Sequence, residues 1–114
     1  MTEVRRLTVN ELAALQGFSP VVIDDGEREI GGIYIGDLLS WVMGRAGEDN
    51  AWITIMTNIN VVAVASLSDV ACVILAEGTA PDNEVLTTAE EKGVNLISSP
   101  LGAYEIAVKL SSLI

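Results

Sequence analysis

Apolar and polar positions along this 114-residue chain change period several times, and each change marks an element. Thr8-Val9-Asn10-Glu11 has the form of a capping box. The Thr8 hydroxyl accepts from the Glu11 amide while the Glu11 carboxylate accepts from the Thr8 amide. Leu7 and Leu12 stand where a hydrophobic staple would close, Val9, Leu12, Ala13 and Gln16 follow at helical spacing, and Gly17 supplies the stop. Pro20-Val21-Val22-Ile23-Asp24 reads as a short strand. The turn signal Asp25-Gly26 predicts a hairpin between it and Glu29-Ile30-Gly31-Gly32-Ile33-Tyr34. Asp37 is placed to cap a helix that carries Leu38, Leu39, Trp41, Val42 and Ala46 and stops at Gly47.

Ala51-Trp52-Ile53-Thr54-Ile55-Met56, Val70-Ala71-Cys72-Val73-Ile74-Leu75 and Val94-Asn95-Leu96-Ile97 have the length and composition of strands. The second is apolar on both faces, as a central parallel strand should be. Between the last two lies a helix opened by Pro81, turning Val85, Leu86 and Ala89 inward and closed by Gly93. After the last strand Ser99 caps, Pro100 takes the first helical position, and a helix with a Glu105–Lys109 pair on its outer face runs to the C-terminus. Residues 58–66 pull two ways: β-branched composition favours a strand. Parallel pairing of the strands on either side demands a crossover of about a dozen residues or more, which favours a helix capped near Thr57 or Asn58. The spacing tips the expectation to helix.

The resulting order is helix, two short strands, then helix and strand in alternation, ending on a helix. Such alternation predicts an α/β fold: a single compact domain over residues 1–114, with a small, mostly parallel sheet and flanking helices in two or three layers. No internal repeat or linker interrupts it. Half of the residues are hydrophobic, and a folded chain of this length buries about two-thirds of its surface, so a self-standing core is expected.

Charge narrows the partners. Six Lys and Arg against 16 Asp and Glu leave a net charge of −10. Arg5, Arg6, Arg28, Arg45, Lys92 and Lys109 are too few and too scattered to displace counterions from phosphates, so no nucleic acid is expected as partner. Anionic membrane surfaces are disfavoured for the same reason. The apolar runs, broken by Asn60, Ser66, Ser68 and Asp69, fall short of the roughly 20 residues of a membrane span. Met1–Arg6 lacks a signal-peptide core, and the lone Cys72 has no disulfide partner; both point to the cytoplasm.

The chain has no histidine, which removes triads, imidazole bases and His metal ligands. Neither a phosphate loop nor a dinucleotide fingerprint is present, and no pair of carboxylates, Glu77 included, has diagnostic spacing. The expectation is a non-enzyme without cofactor or metal. Asp24, Asp25, Glu27 and Glu29 lack the spacing of a calcium loop and read as a solvated face. Cys72, mid-strand, reads as a small core hydrophobe. Trp41 and Trp52 read as core, with Trp41 also able to serve a dimer contact.

Topology supplies the better candidate site. Ligands of open α/β sheets bind outside the carboxyl ends of the strands. Those ends carry Thr57, Asn58 and Asn60; Glu77, Gly78 and Thr79; and Ser98 and Ser99. Hydroxyls and amides on one rim suit a small polar or anionic molecule, although caps and turns use the same residues. Gly31, Gly32 and Gly36 either let the backbone approach a ligand or, more commonly, serve positive φ or close packing at a strand–helix junction.

Three stretches together resemble the DRTGG domain family: residues 28–39, with Arg28-Glu29-Ile30-Gly31-Gly32 where the family has D-R-T-G-G; residues 52–65; and Cys72-Val73-Ile74-Leu75-Ala76-Glu77-Gly78 with the distal Ser98-Ser99-Pro100-Leu101-Gly102-Ala103-Tyr104-Glu105. The last part is also similar to the N-terminal, non-catalytic domain of HPr kinase/phosphorylase. The resemblance covers roughly residues 3–112, and only the two glycines of the eponymous motif survive. It implies an HPr kinase N-terminal-domain-like fold and a regulatory or ligand-sensing module, homodimeric, that takes a metabolite or nucleotide and modulates a partner enzyme or kinase. A ligand-free interaction or scaffold subunit is the alternative.

Overall fold

The computed structural model describes residues 6–114; the reading of Met1–Arg6 as lacking a leader core falls, for residues 1–5, outside the described residues. The elements run α1 (Val9–Ala13), β1 (Ser19–Val22), β2 (Gly32–Ile35), α2 (Leu39–Arg45), β3 (Asn50–Thr54), α3 (Ile59–Ser68), β4 (Cys72–Leu75), α4 (Asn83–Lys92), β5 (Leu96–Ser98) and α5 (Ala103–Ser111). They build one five-stranded sheet of order β1-β5-β4-β3-β2. Strands β2, β3, β4 and β5 are parallel, and β1 joins β5 antiparallel, with Ser19 opposite Ser98.

Alternation along the strands divides the core between two faces. Ala51, Ile53, Cys72, Ile74 and Ile97 meet α1 and α5 through Val9, Leu12, Ile106 and Leu110. Trp52, Val73, Leu75 and Leu96 meet α2, α3 and α4 through Val42, Val61, Val62, Val85 and Ala89. The sheet is thus the middle of three layers, which resolves the two- or three-layer alternative.

Local chemistry explains most boundaries. The Thr8–Glu11 capping box forms, at 3.2 Å and 3.0 Å for its two bonds. α3 is a helix, capped by Asn58, whose Oδ1 accepts from the Asn60 amide at 2.9 Å; the crossover outweighs β-branched propensity. α4 starts two residues later than Pro81 suggests, because Asp82 caps it by accepting from the Val85 amide at 3.0 Å, and Gly93 at φ +67° ends it.

Several expectations fail. β1 and β2 form no hairpin: they lie on opposite edges of the sheet. The turn signal is used, since Arg28 N–H donates to the Asp25 carbonyl at 3.4 Å, but the chain then runs past the amino ends of β4 and β3, bonded on its way to the start of α1. Asp37 does not cap α2. Its Oδ1 accepts instead from the Thr54 hydroxyl at 2.7 Å and the Ile55 amide at 3.0 Å, tying the start of α2 to the end of β3. Ser99 and Pro100 precede α5 without entering it; the cap is Gly102, whose amide donates to Glu105 Oε1 at 3.3 Å, so Glu105 turns back to the helix start. Trp52 is fully buried, but Trp41 is half exposed, with the Arg45 guanidinium carbon 3.8 Å from its ring centroid.

Two long-range devices hold the layers. The buried Asn95 side chain accepts from the Asp24 and Asp25 amides at 2.7 Å and 3.0 Å and donates to the Asp25 and Ala71 carbonyls at 3.0 Å and 2.9 Å. It thereby fastens the exit of β1 to the starts of β4 and β5. At the same edge Arg28 binds Asp49 at 2.8 Å and Asp69 at 3.0 Å, and its Nη2 also donates to the Asp69 carbonyl. Burial lowers the Arg28 pKa, but the hydrogen bonds and charges of Asp49 and Asp69 outweigh it, so the guanidinium is held more firmly charged. Cys72 is buried, and loss of solvation pushes its thiol up to about 12.

Candidate functional site

A cleft of about 400 Å³ opens at the carboxyl ends of β4 and β5, beside edge strand β1. Its floor and walls come from separate elements: Val21 of β1, Leu86 of α4, residues 78–81 between β4 and α4, and residues 98–100 after β5. Ser98 shares the sheet face of Leu96, so its side chain is on the α4 side.

The loop after β4 is a tight turn. Glu77 and Gly78 both have positive φ, +58° and +71°, and the Thr79 amide donates to the Ala76 carbonyl at 3.2 Å, the pattern of a type I′ turn. Gly78 takes this backbone freely, while Glu77 holds it at a cost of about 1 kcal/mol. The neighbouring loop secures it: Glu77 N–H donates to the Leu101 carbonyl at 2.8 Å and Gly78 N–H to the Ser99 carbonyl at 2.9 Å. Ser99 is buried and locked, its Oγ accepting from the Leu101 amide at 3.1 Å and its amide donating to the Leu75 carbonyl at 3.0 Å.

Two hydroxyls therefore remain for a ligand. Thr79 Oγ1 donates to the Ala76 carbonyl at 2.8 Å and keeps its lone pairs for accepting. Ser98 is half-buried, and among the described residues its hydroxyl has no hydrogen-bond partner. The arrangement is an apolar cleft with a hydrogen-bonding edge, in the size range of small-molecule sites.

The rim anticipated from topology divides in two. Gly78, Thr79, Ser98 and Ser99 line the cleft, and Glu77 is exposed on the turn next to it. Thr57, Asn58 and Asn60 sit beyond β3 and do not line it; Asn58 is committed to capping α3. Gly31, Gly32 and Gly36 bracket β2, at the far edge of the sheet. None has positive φ, and a Cβ there would stand 3.0 Å from the Arg6 side chain, 2.9 Å from that of Asn50 and 3.0 Å from that of Tyr34 respectively. Asp24, Asp25, Glu27 and Glu29 are exposed, and among the described residues no acidic or sulfur group gathers as a metal set. The walls Val21, Ala80, Pro81, Leu86 and Pro100 carried no polar signal in the sequence, and β1 had been expected elsewhere.

Comparison with known proteins adds two findings. The sequence matches the DRTGG domain family over residues 19–113. Its fold is similar to the CBS and DRTGG domains of the regulatory region of Clostridium perfringens pyrophosphatase, solved in complex with the activator diadenosine tetraphosphate. The TM-score is 0.69 at 13% identity, over 98% of this chain and 50% of that one, so the likeness is one of fold and this chain spans half the neighbour's length. Comparison with the curated proteins gives no match. Among the described residues no helix is long and apolar enough to cross a membrane.

Proposed function

The chain belongs to the DRTGG domain family, and from that membership we propose that it is a non-catalytic, ligand-sensing regulatory module. The cleft between the β4–α4 turn, the end of β5 and strand β1 is its sensor site, and a small nucleotide-like or metabolite molecule is its signal. The observation that carries this reading is the coupling of the cleft to its surroundings. The turn at Glu77–Gly78 is bonded to the loop that leads into α5, so a ligand seated on Thr79 and Ser98 bears on two loops at once. Differential binding worth about 1–3 kcal/mol is enough to bias a partner's equilibrium. The regulatory region of the C. perfringens pyrophosphatase, with its nucleotide activator, supports the class of signal.

A thermal-shift panel of adenosine, adenosine mono- and triphosphate, diadenosine tetraphosphate, nicotinamide cofactors and acetyl phosphate tests it. A ligand at 100 times its dissociation constant adds about 2.7 kcal/mol, on the order of 10 °C for a domain of this size. A shift that Ser98→Ala reduces is the expected result, and a flat panel counts against the reading.

A second reading has its own observation. Ile35, Leu38, Trp41, Ile55 and Ile59 are 50%, 59%, 52%, 46% and 38% exposed around the carboxyl ends of β2 and β3. Apolar exposure gathered in that way suits a protein contact. It is the face through which the module would pair with itself or with a partner enzyme or kinase in the cytoplasm, and in a pure scaffold subunit it would be the working surface.

A further inference from the structure

Cations, not carboxylates, are segregated along the strands. Arg45, Lys92 and Lys109 lie in the last turns of α2, α4 and α5, which return the chain towards the amino ends of the parallel strands. Arg28 is clamped between Asp49 and Asp69, just before β3 and β4, and Arg6 lies beside Gly31, just before β2. Asp24, Asp25, Asp49 and Asp69 stand among those cations, whereas the opposite edge, where the cleft opens, carries carboxylates with no cation among the described residues: Asp37 after β2, Glu77 on the turn, Asp82 capping α4, and Glu84 and Glu105 in the first turns of α4 and α5. Among the described residues no cation lines the cleft. The amino end of α4, where the helix dipole favours an anion, is already occupied by the Asp82 carboxylate.

We infer that the cleft takes an uncharged heterocycle of the nucleoside class and discriminates against its phosphorylated forms. This inference rests on the sensor reading above and narrows its ligand. Val21, Pro81, Leu86 and Pro100 offer apolar contact from β1, α4 and both loops, which suits the faces of a ring. Ser98 donates and accepts and Thr79 accepts at the polar edge, enough to orient a neutral molecule. Phosphates would enter a site with no counter-charge and with carboxylates on its rim, and in such a site they cost affinity.

Calorimetric titration of the full chain with adenosine, guanosine, cytidine and uridine, and with their mono- and triphosphates, tests this at 0.02 M and 0.5 M NaCl with EDTA present. At least one nucleoside is expected to bind, its triphosphate about tenfold or more weaker. The gap should narrow in high salt, because the Debye length falls from about 20 Å to about 4 Å and screens the repulsion. Tighter binding of the phosphorylated form, or an affinity for it that falls with salt, overturns the neutral-ligand inference. If Ser98→Ala still weakens that binding, the sensor reading survives it. Binding of spermidine at the cleft in preference to any nucleoside also overturns the inference. No binding by any member overturns the nucleoside inference, while binding unchanged in Ser98→Ala and in the cleft-filling Ser98→Leu, each checked for normal unfolding, overturns the sensor reading of the cleft itself.

Discussion

Replacing Asn95 by alanine removes one side chain and four hydrogen bonds that join segments distant in sequence. Its Oδ1 accepts from the Asp24 and Asp25 amides, and its Nδ2 donates to the Asp25 and Ala71 carbonyls, all between 2.7 Å and 3.0 Å. Asp24 and Asp25 are exposed, so water replaces part of what they lose, at about 0.5–1.5 kcal/mol per bond. Ala71 is 1% exposed, and depriving its carbonyl of the amide donor costs about 1–3 kcal/mol. At the lower end of these ranges the loss comes to about 3 kcal/mol, a sizeable part of the 5–15 kcal/mol typical of a whole domain, and lowers Tm on the order of 10 °C. Urea unfolding of both proteins, with m-values compared, gives the difference directly. Because Asn95 fastens the exit of β1, the variant should also bind any cleft ligand more weakly through a displaced Val21. A loss below about 1 kcal/mol at unchanged m would refute the reasoning that this amide fastens the exit of β1.

Three further outcomes follow from the same geometry. Glu77→Gly relieves the positive φ of +58° and should stabilise the fold by about 0.5–1 kcal/mol in thermal unfolding, whereas a loss of stability would show that the turn is not strained. Cys72, with its thiol pushed up to about 12, stays protonated when folded but ionises in the unfolded chain above about pH 9. Stability should therefore fall by about 1.4 kcal/mol per pH unit between those values, and Cys72→Ala should show a shallower fall; equal slopes would contradict the assignment. Leu38→Ser with Trp41→Ser removes exposed apolar surface and should leave stability within about 0.5 kcal/mol while abolishing any self-association seen by sedimentation; persistence of a dimer would place the contact elsewhere.

What the sequence made legible was local or topological. The Thr8 capping box needed only residues three apart. The helical state of α3 followed from crossover geometry against its own composition, because two parallel neighbours cannot be joined by another strand hairpin. The strand ends that flank the cleft were legible by the same rule, and Thr79 and Ser98 came with them. What stayed hidden depended on partners far along the chain. Asp37 and Ser99 have the chemistry of caps, but Thr54 and Leu101 take them first. The hairpin fails because β1 pairs with β5 on the opposite edge, where Asn95, some 70 residues from Asp24, fastens its exit. That placement brings Val21 to the cleft, and no pattern near Val21 could announce it.

The central claim is that a ligand is sensed at the cleft between β4, β5 and β1, and amide-resolved NMR titration of the full chain with each of adenosine, guanosine, cytidine and uridine addresses it most directly. The account predicts shifts that saturate at the amides of Gly78, Thr79, Ala80, Ser98 and Ser99, with Leu101 following through its bond to Glu77. A spectrum unchanged by all four, or shifts gathered at Leu38, Trp41, Ile55 and Ile59, would contradict it.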